Sequence, residues 1–287
     1  MAGKKIISGG EEKSIYEALS MDYIEPEPRE MRGEIDCAQK HNLPNLVDIQ
    51  DIRDDLQMHS VWSDGTCSIK ELAKQAMCLG HEYIAITDHI GHLVIAGALN
   101  EKEIKKQWEE IDKLNNLFGG SIKILKGGEV DINADGSMAC SDEILSQFDI
   151  VLGSLHSQFK MPKDEMTKRV VRAMQNVHVD VIAHPTTRVI GRRDEVAFDW
   201  ETIFKIAKKT KTILEINANP DRADLSDVNA LRAINEGVML SLGTDAHRKE
   251  QLQNIQFGVY QARRAWATKG SIANTLGLDN LLKQLRQ

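Results

Sequence analysis

The segment Tyr83-Ile-Ala-Ile-Thr-Asp-His89 shows the pattern that decides the fold, a short apolar run that ends in polar residues able to hold a metal ion. Seven such runs occur along the chain, and each closes on a His, Asp, Glu or Asn. Buried parallel strands deliver functional groups to their C-terminal edge in this way. The other six runs cover residues 55–59, 122–129, 150–156, 179–184, 212–217 and 239–247.

Most of the stretches between these runs carry helical periodicity. The clearest is 100–117, where Ile104, Trp108 and Ile111 lie on one stripe and Gly119 stands where a helix would stop. Similar stripes predict helices over residues 68–79, 163–177, 199–209 and 226–236. This alternation indicates an α/β fold with a parallel sheet. Because polar groups converge from all seven strands, and neither a G-x-G-x-x-G nor a P-loop pattern occurs, a closed, TIM-like (β/α)7 barrel with a metal site at the C-terminal strand ends is favoured over an open sheet.

The chain of 287 residues is long enough for one barrel domain and a short remainder. Residues 1–50 contain Pro26, Pro28 and Pro44 with a helical patch at 14–19, so we expect an N-terminal extension there and the barrel over residues 51–287. The four cysteines form no C-x-x-C pair, and no apolar run approaches a membrane span. We therefore expect a cytoplasmic protein without membrane contact. The net charge of −7 argues against a broad DNA-coating surface, although metal ions can reverse the charge locally and hold a phosphate.

The polar strand ends supply more metal donors than one ion can use. Imidazole mixed with carboxylate suits zinc, manganese or iron better than magnesium or calcium alone. Eight donors imply two or three divalent ions that share a carboxylate, an arrangement that clamps the attacking and leaving oxygens in phosphate-ester hydrolysis. The eight candidates, which we also expect to carry catalysis, are His59, Asp64, His89, Glu129, His156, His184, Asp245 and His247.

Two competing motifs are weaker. Asp131, Asn133 and Asp135 with Gly136 imitate a calcium loop, but a strand precedes them and the twelfth position is Asp142 where Glu is usual. A tight turn explains this segment better. No G-x-S-x-G elbow occurs, which argues against covalent serine catalysis.

The ligand motifs resemble those of the PHP (polymerase and histidinol phosphatase) family, whose members are similar to a distorted seven-stranded barrel with a trinuclear metal site. The family motif H-x-H stands here as Gln57-Met58-His59, and the remaining ligand positions match. The resemblance implies a first metal held by Gln57, His59, Glu129 and Asp245. It implies a second metal held by Glu129, His156 and His184, and a third held by Asp64, His89 and His247.

The resemblance extends to one branch, the PHP domain at the C-terminus of bacterial-type X-family DNA polymerases. The stretches that carry it are residues 53–65, 191–193, 219–222 and 262–269, and residues 12–30 are similar to the junction between polymerase core and PHP domain. The nucleotidyltransferase and helix-hairpin-helix motifs of such polymerases do not precede it here. The resemblance therefore implies a polymerase core, not present in this chain, as a possible partner.

Gln57 departs from the family pattern. Its amide oxygen is a poorer zinc ligand than imidazole, so either the first metal binds weakly or is a harder ion such as manganese, or the position is structural and the site uses two metals. For substrate, we expect arginines in loops after the strand ends to bind phosphate, because guanidinium makes bidentate contacts. These are Arg188, Arg192, Arg193 and Arg222.

Three functions follow from this pattern. The first is a metal-dependent phosphoesterase acting on DNA 3′ ends, as a 3′–5′ exonuclease or end-cleaning enzyme of DNA repair. The second is a phosphatase for a small phosphate ester such as histidinol phosphate or a nucleotide. The third is a structural or partner-docking domain with a degenerate site.

Overall fold

The computed structural model describes residues 9–285 and confirms the α/β fold. Within these residues, seven parallel strands form a nearly closed barrel in the order β1-β2-β4-β5-β6-β7-β8, and a short β3 also pairs in parallel with β4. The strands are β1 (Asp54–Asp55), β2 (Tyr83–Ile86), β3 (His89–Ile90), β4 (Lys123–Asp131), β5 (Ile150–Ser154), β6 (Val181–Ile182), β7 (Ile213–Asn217) and β8 (Leu240–Gly243).

The segment after β1 closes the gap between the first and last strands. His59 donates its backbone N–H to Ala246 over 2.8 Å, and Met58 accepts from the backbone N–H of Thr87 over 2.9 Å. Asp245 also donates its backbone N–H to the carbonyl of Gln57, over 3.0 Å. The polar ends of β1 and β8 are therefore direct neighbours.

Helices flank the barrel where the periodicity predicts them. The predicted helix at 100–117 is α4, with the capping box of Asn100 and Glu103 formed and Gly119 in the left-handed region at φ 57°. The described helices are α1 (Glu12–Ala18), α2 (Glu34–Gln39), α3 (Ile69–Cys78), α4 (Glu101–Phe118), α5 (Asp142–Leu145), α6 (Lys163–Met174), α7 (Trp200–Thr210), α8 (Asp227–Asn235), α9 (Ile255–Arg264) and α10 (Leu278–Leu285). In this part of the chain, none of them is long and apolar enough to cross a membrane.

Two apolar clusters make up the core. The larger one lies between the strands and the surrounding helices. The smaller one fills the lower barrel interior, the end at which the strands begin, and Leu281 of α10 is part of it. Alternate strand residues point into a barrel, so those interior positions come from the same strands that carry polar ends. The interior members include Leu56, Tyr83, Ala85, Leu125, Ile150, Leu152, Val181, Ala183 and Ile213.

The described part of the N-terminal extension is joined to the barrel by ion pairs. Arg32 lies 2.7 Å from Asp227, and Arg264 lies 2.6 Å from Glu30. The side chain of Arg263 pairs with Glu27 over 2.7 Å. These contacts fit an extension that packs on α8 and α9, while the division at residue 50 stays a prediction, and residues 1–8 lie outside the described part.

Candidate metal centre

Glu129 lies at the centre of the polar upper end of the barrel. Its carboxylate is fully buried near the end of β4. Oε1 lies 2.8 Å from His184 Nε2 and 3.3 Å from His156 Nε2, and Oε2 lies 3.1 Å from His89 Nδ1 and 3.4 Å from His59 Nε2. One carboxylate therefore contacts four imidazoles that come from four different strand ends.

Asp64 gathers a second group of imidazoles nearer to solvent. Its carboxylate lies 3.3 Å from His247 Nε2, 3.5 Å from His89 Nε2 and 3.9 Å from His59 Nδ1. The rings of His89 and His247 each stack on His59 with centroids 4.4 Å apart. The Asp64 side chain is 32% exposed, so this side of the cluster is open to solvent.

Asp245 joins the cluster to a guanidinium group. Its Oδ1 lies 3.2 Å from His59 Nε2, and its Oδ2 lies 3.2 Å from Arg222 Nε. Arg222 Nη1 is buried and makes no hydrogen bond to the described residues. This guanidinium nitrogen is a buried donor beside the cluster.

Gln57 lies in a buried polar network below Asp245. One atom of its amide lies 3.0 Å from Glu215 Oε2 and 3.3 Å from Asn217 Nδ2. Asn217 Nδ2 also donates to Asp245 Oδ2 over 3.2 Å. The amide of Gln57 is thus within hydrogen-bond distance of Glu215 and Asn217, which is compatible with either role that the sequence leaves open for it.

The charges of the cluster shift its pKa values in opposite directions. Burial lowers the pKa of His156, but the Glu129 charge and the bond to Asp131 outweigh it and raise that pKa to about 10. Burial also lowers the pKa of His247, but the hydrogen bond to Asp64 contributes to a net rise of that pKa to about 9. Burial raises the pKa of Glu129, yet the charges of His156 and His89 more than offset it and hold that pKa well below its usual range. Without a metal ion, the cluster therefore pairs ionised carboxylates with protonated imidazoles.

The donor set fits bound metal ions. Two groups hold their ligand atoms within 4.8 Å of one another, namely His59, Asp64, His89 and His247, and His89, Glu129 and His156. Several buried donor atoms make no hydrogen bond to the described residues despite their close approach, as expected of donors that converge on an ion. These atoms are both ring nitrogens of His59, His89 Nδ1, Glu129 Oε2 and His184 Nδ1.

Sequence reasoning missed the role of Asp131. Its Oδ1 lies 2.7 Å from His156 Nδ1, and its Oδ2 accepts the backbone N–H of His92 over 2.8 Å. A carboxylate behind a ligating histidine fixes the tautomer and orientation of the ring. Asp135 instead accepts hydrogen bonds from Ser137 and Arg172. Asp131 and Asp135, which imitate calcium ligands in the sequence, therefore bind different residues, and the segment is a turn. The signal that could have found Asp131 is its place two residues after Glu129, on the same face of β4.

The four predicted substrate arginines differ in their surroundings. Arg188 donates to the carbonyls of Arg222 and Ala223 and pairs with Glu195 over 3.0 Å, so its guanidinium braces a loop. Arg192 is exposed. Arg193 lies over the ring of Phe159, 4.1 Å from its centroid.

Comparison with known proteins identifies the family. The PHP domain pattern matches residues 55–219. This chain belongs to the PHP family. It is 40% identical over 270 residues, or 94% of its length, to the DNA polymerase/3′-5′ exonuclease PolX of Bacillus subtilis. The chain spans about half of that relative, 47% of its length.

Other relatives are named as phosphatases. The chain is 29% identical over 238 residues to a probable phosphatase of Thermoanaerobacter, which covers 77% of the chain and 89% of the relative. The fold of this chain is similar to that of histidinol phosphate phosphatase from Lactococcus lactis, which was crystallised with zinc, L-histidinol and phosphate. The TM-score is 0.58 and the identity 18%, over 74% of this chain and 93% of that one. A putative histidinol phosphatase from Listeria monocytogenes gives a TM-score of 0.55 at 13% identity, over 69% of this chain and 97% of that one. The PHP family match, together with these relatives, supports a phosphoester hydrolase, which favours the two catalytic functions over a docking domain.

Proposed function

We propose that the chain is a metal-dependent phosphoesterase that acts on DNA 3′ ends, as a 3′–5′ exonuclease or end-cleaning enzyme in DNA repair. The observation that carries this proposal is the 40% identity over 94% of the chain with a relative named as both polymerase and 3′-5′ exonuclease. Because the chain matches only about half of that relative, a polymerase core is the proposed partner of the domain. Cytoplasmic localisation stays a prediction.

In this proposal the residues predicted from the sequence hold two or three divalent ions, with Glu129 shared between neighbouring ions. Manganese, zinc and iron are the candidates, since the donors are mostly imidazole and carboxylate. Bound ions would act as Lewis acids toward the phosphate and would activate the attacking water. The proposed ligands are Gln57, His59, Asp64, His89, Glu129, His156, His184, Asp245 and His247.

The chain's own residues would then orient the phosphate. Arg222 Nη1 has no partner among the described residues, and Arg222 Nε is fixed by Asp245 at 3.2 Å, so the guanidinium is positioned to donate to a phosphate oxygen. Burial and the charge of Arg222 lower the pKa of Arg193, so the two guanidinium groups lie close enough to repel each other. We propose Arg222 as the direct phosphate contact, with Arg193 and the exposed Arg192 toward the rest of the substrate. Arg188 would support them by holding the backbone of Arg222.

The test is manganese-dependent release of nucleotides from a 3′-labelled single-stranded oligonucleotide. The variant that combines His156→Ala with His247→Ala removes one ligand from each group and should abolish the release. Lys205→Ala, on the outer surface of α7, is the control and should retain full activity. Nucleotide release that survives the double substitution would exclude this site as its source.

The second candidate is a phosphatase for a small phosphomonoester. It is favoured by the relatives named as phosphatases, one of which the chain covers over 89% of its length. Rates on single-stranded DNA and on a panel of small phosphomonoesters, such as histidinol phosphate and nucleotides, separate the two. A preference of several hundredfold for a small ester would reject the exonuclease proposal and support this one.

A further inference from the structure

Asp88 lies between two functional strand ends and belongs to neither group of candidate ligands. Its side chain is buried, and its two oxygens accept four hydrogen bonds. Oδ1 accepts from the backbone N–H of Ser60 over 2.7 Å and from the hydroxyl of Ser63 over 2.5 Å. Oδ2 accepts from the hydroxyl of Ser60 and from Gln107 Nε2, both over 2.6 Å. Four short hydrogen bonds from three residues hold both oxygens, so this carboxylate is a rigid anchor.

Three of the four bonds go to the turn at residues 60–65, which carries Asp64. Within the turn, Ser63 and Gly65 both donate their backbone N–H groups to the carbonyl of Ser60, over 3.1 and 3.0 Å. The turn is so tight that a Cβ atom at Gly65 would lie 2.2 Å from the carbonyl oxygen of His59. Because the Asp64 side chain is partly exposed, core packing constrains it little, and the backbone of this turn sets where the side chain begins.

The fourth bond connects Asp88 to α4. Gln107 is buried on that helix, and Glu110, one turn further along, accepts from Trp62 Nε1 over 2.8 Å. Residues three apart on a helix lie on the same face. The turn is therefore held from below by Asp88 and from the side by one face of α4.

We propose that Asp88 is a positioning residue that holds Asp64 toward His89 and His247 before any ion binds. It acts through Ser60 and Ser63. Asp64 is the one carboxylate in its group of candidate ligands, so the affinity of that group for a cation depends on its placement. The inference rests on the metal centre proposed above.

The test replaces Asp88 with Asn, which keeps the size of the side chain but turns an NH2 group toward donors. In holoprotein loaded with manganese, Asp88→Asn should bind one ion per chain about 10- to 100-fold more weakly, so a chelator should remove that ion at a correspondingly lower concentration. In metal-free protein, backbone amides of residues 60–66 should exchange hydrogen faster. Asp112→Asn is the matched control, because Asp112 is an exposed residue of α4 that pairs with Lys126 at the surface.

Two measurements keep the outcomes separate. If the unmodified protein holds no metal, the proposed function fails, and amide exchange alone decides the role of Asp88. If Asp88→Asn retains both the metal content and the exchange rates of the control, the inference is overturned. Should Asp88→Asn not fold, Ser63→Ala removes one bond and leaves three, and unchanged exchange and chelator resistance in that variant would overturn the inference equally.

Discussion

The two ends of the barrel place buried histidines and carboxylates in different electrostatic surroundings. At the lower end, burial lowers the pKa of His81 to about 4 and raises the pKa of Asp54 to about 8, so both favour their neutral forms near pH 7. At the upper end, carboxylates overcome the effect of burial and raise the pKa of His156 to about 10. The pKa of Asp64 is held far below its usual range, because its bonds to His247 and His89 outweigh burial. Burial alone therefore does not indicate that a histidine belongs to a metal site. A carboxylate beside the buried ring is the better indication.

Single strands contribute to both ends. In β4, Leu125 belongs to the apolar interior and Glu129 to the polar cluster, and in β7 Ile213 and Asn217 divide in the same way. The members of each pair are four residues apart, so they point to the same side of the strand. One inward-facing row thus changes from apolar to polar along the barrel, and the two ends should respond separately to substitution.

The largest effect is expected at the upper end. Glu129→Gln should lower phosphoesterase activity by more than about 100-fold and remove bound metal, because even residues behind a ligand are worth about 10- to 100-fold. Metal analysis and rates on a phosphomonoester check this, with Glu143→Gln, an exposed acid of α5, as the control. Full metal content in Glu129→Gln would show that Glu129 is not the shared ligand.

At the lower end, Leu281→Ala should destabilise the protein and leave the metal content unchanged. Leu281 is fully buried where α10 packs into the barrel, and such truncations cost about 2–5 kcal/mol in the free energy of unfolding. Chemical denaturation measures the loss, and Lys283→Ala on the exposed side of the helix should change it by less than about 0.5 kcal/mol. If Leu281→Ala also lost metal, the two ends would be coupled.

His81 should make the metal-free protein less stable in mild acid. Its folded pKa of about 4 lies below the ordinary 6.5, so the unfolded chain takes up the proton first as the pH falls. The contribution of the neutral His81 ring to the free energy of unfolding is fully present above about pH 6.5. It shrinks by about 2 kcal/mol between pH 7 and pH 5. Denaturation at both pH values should show this slope in the unmodified protein and in His41→Gln, whose ring is exposed, and a smaller slope in His81→Leu. Equal slopes in all three would exclude the buried neutral form.

The smallest effect is a count of protons at the upper end. Because the pKa values of His156 and His247 are raised to about 10 and about 9, both rings carry a proton at pH 8 when no metal is present. The pKa of His89 is raised as well. Ligating imidazoles must be neutral, so metal uptake at pH 8 should release about two protons or more. Titration calorimetry in buffers of different ionisation enthalpy measures the number. A value near zero would mean that the rings are already neutral.

The helices and the polar strand ends could be predicted because each depends on local pattern. The run 122–129 predicts a strand that ends at Glu129, and β4 indeed delivers this residue to the cluster. The strand continues for two residues, to Asp131, which pairs with Ser154 of β5. That extension places Asp131 against His156, and it depends on the register between two strands, which no single segment encodes.

Other parts could not be predicted because they depend on partners that are distant in sequence. The run 55–59 predicts one strand, whereas β1 ends at Asp55 and the remaining residues make single bonds to Thr87 and Ala246. The sequence predicts that the four arginines lie in loops. It does not predict that the N–H groups of Arg188 already donate to backbone carbonyls. Asp88 likewise looks like a simple neighbour of His89 until Ser60 and Gln107 are placed beside it.

The closure of the barrel also has a consequence for the order in which the protein folds. Thr244 bonds through its backbone N–H to Asp55 over 3.0 Å, although the two are 189 positions apart in the chain. Contacts of such long range form slowly, because a long stretch of chain must be ordered before they contribute. During synthesis, His59 and Glu129 would therefore leave the ribosome well before Asp245. The cation-binding centre would be completed only after the last strand has joined the barrel, when folding is nearly finished.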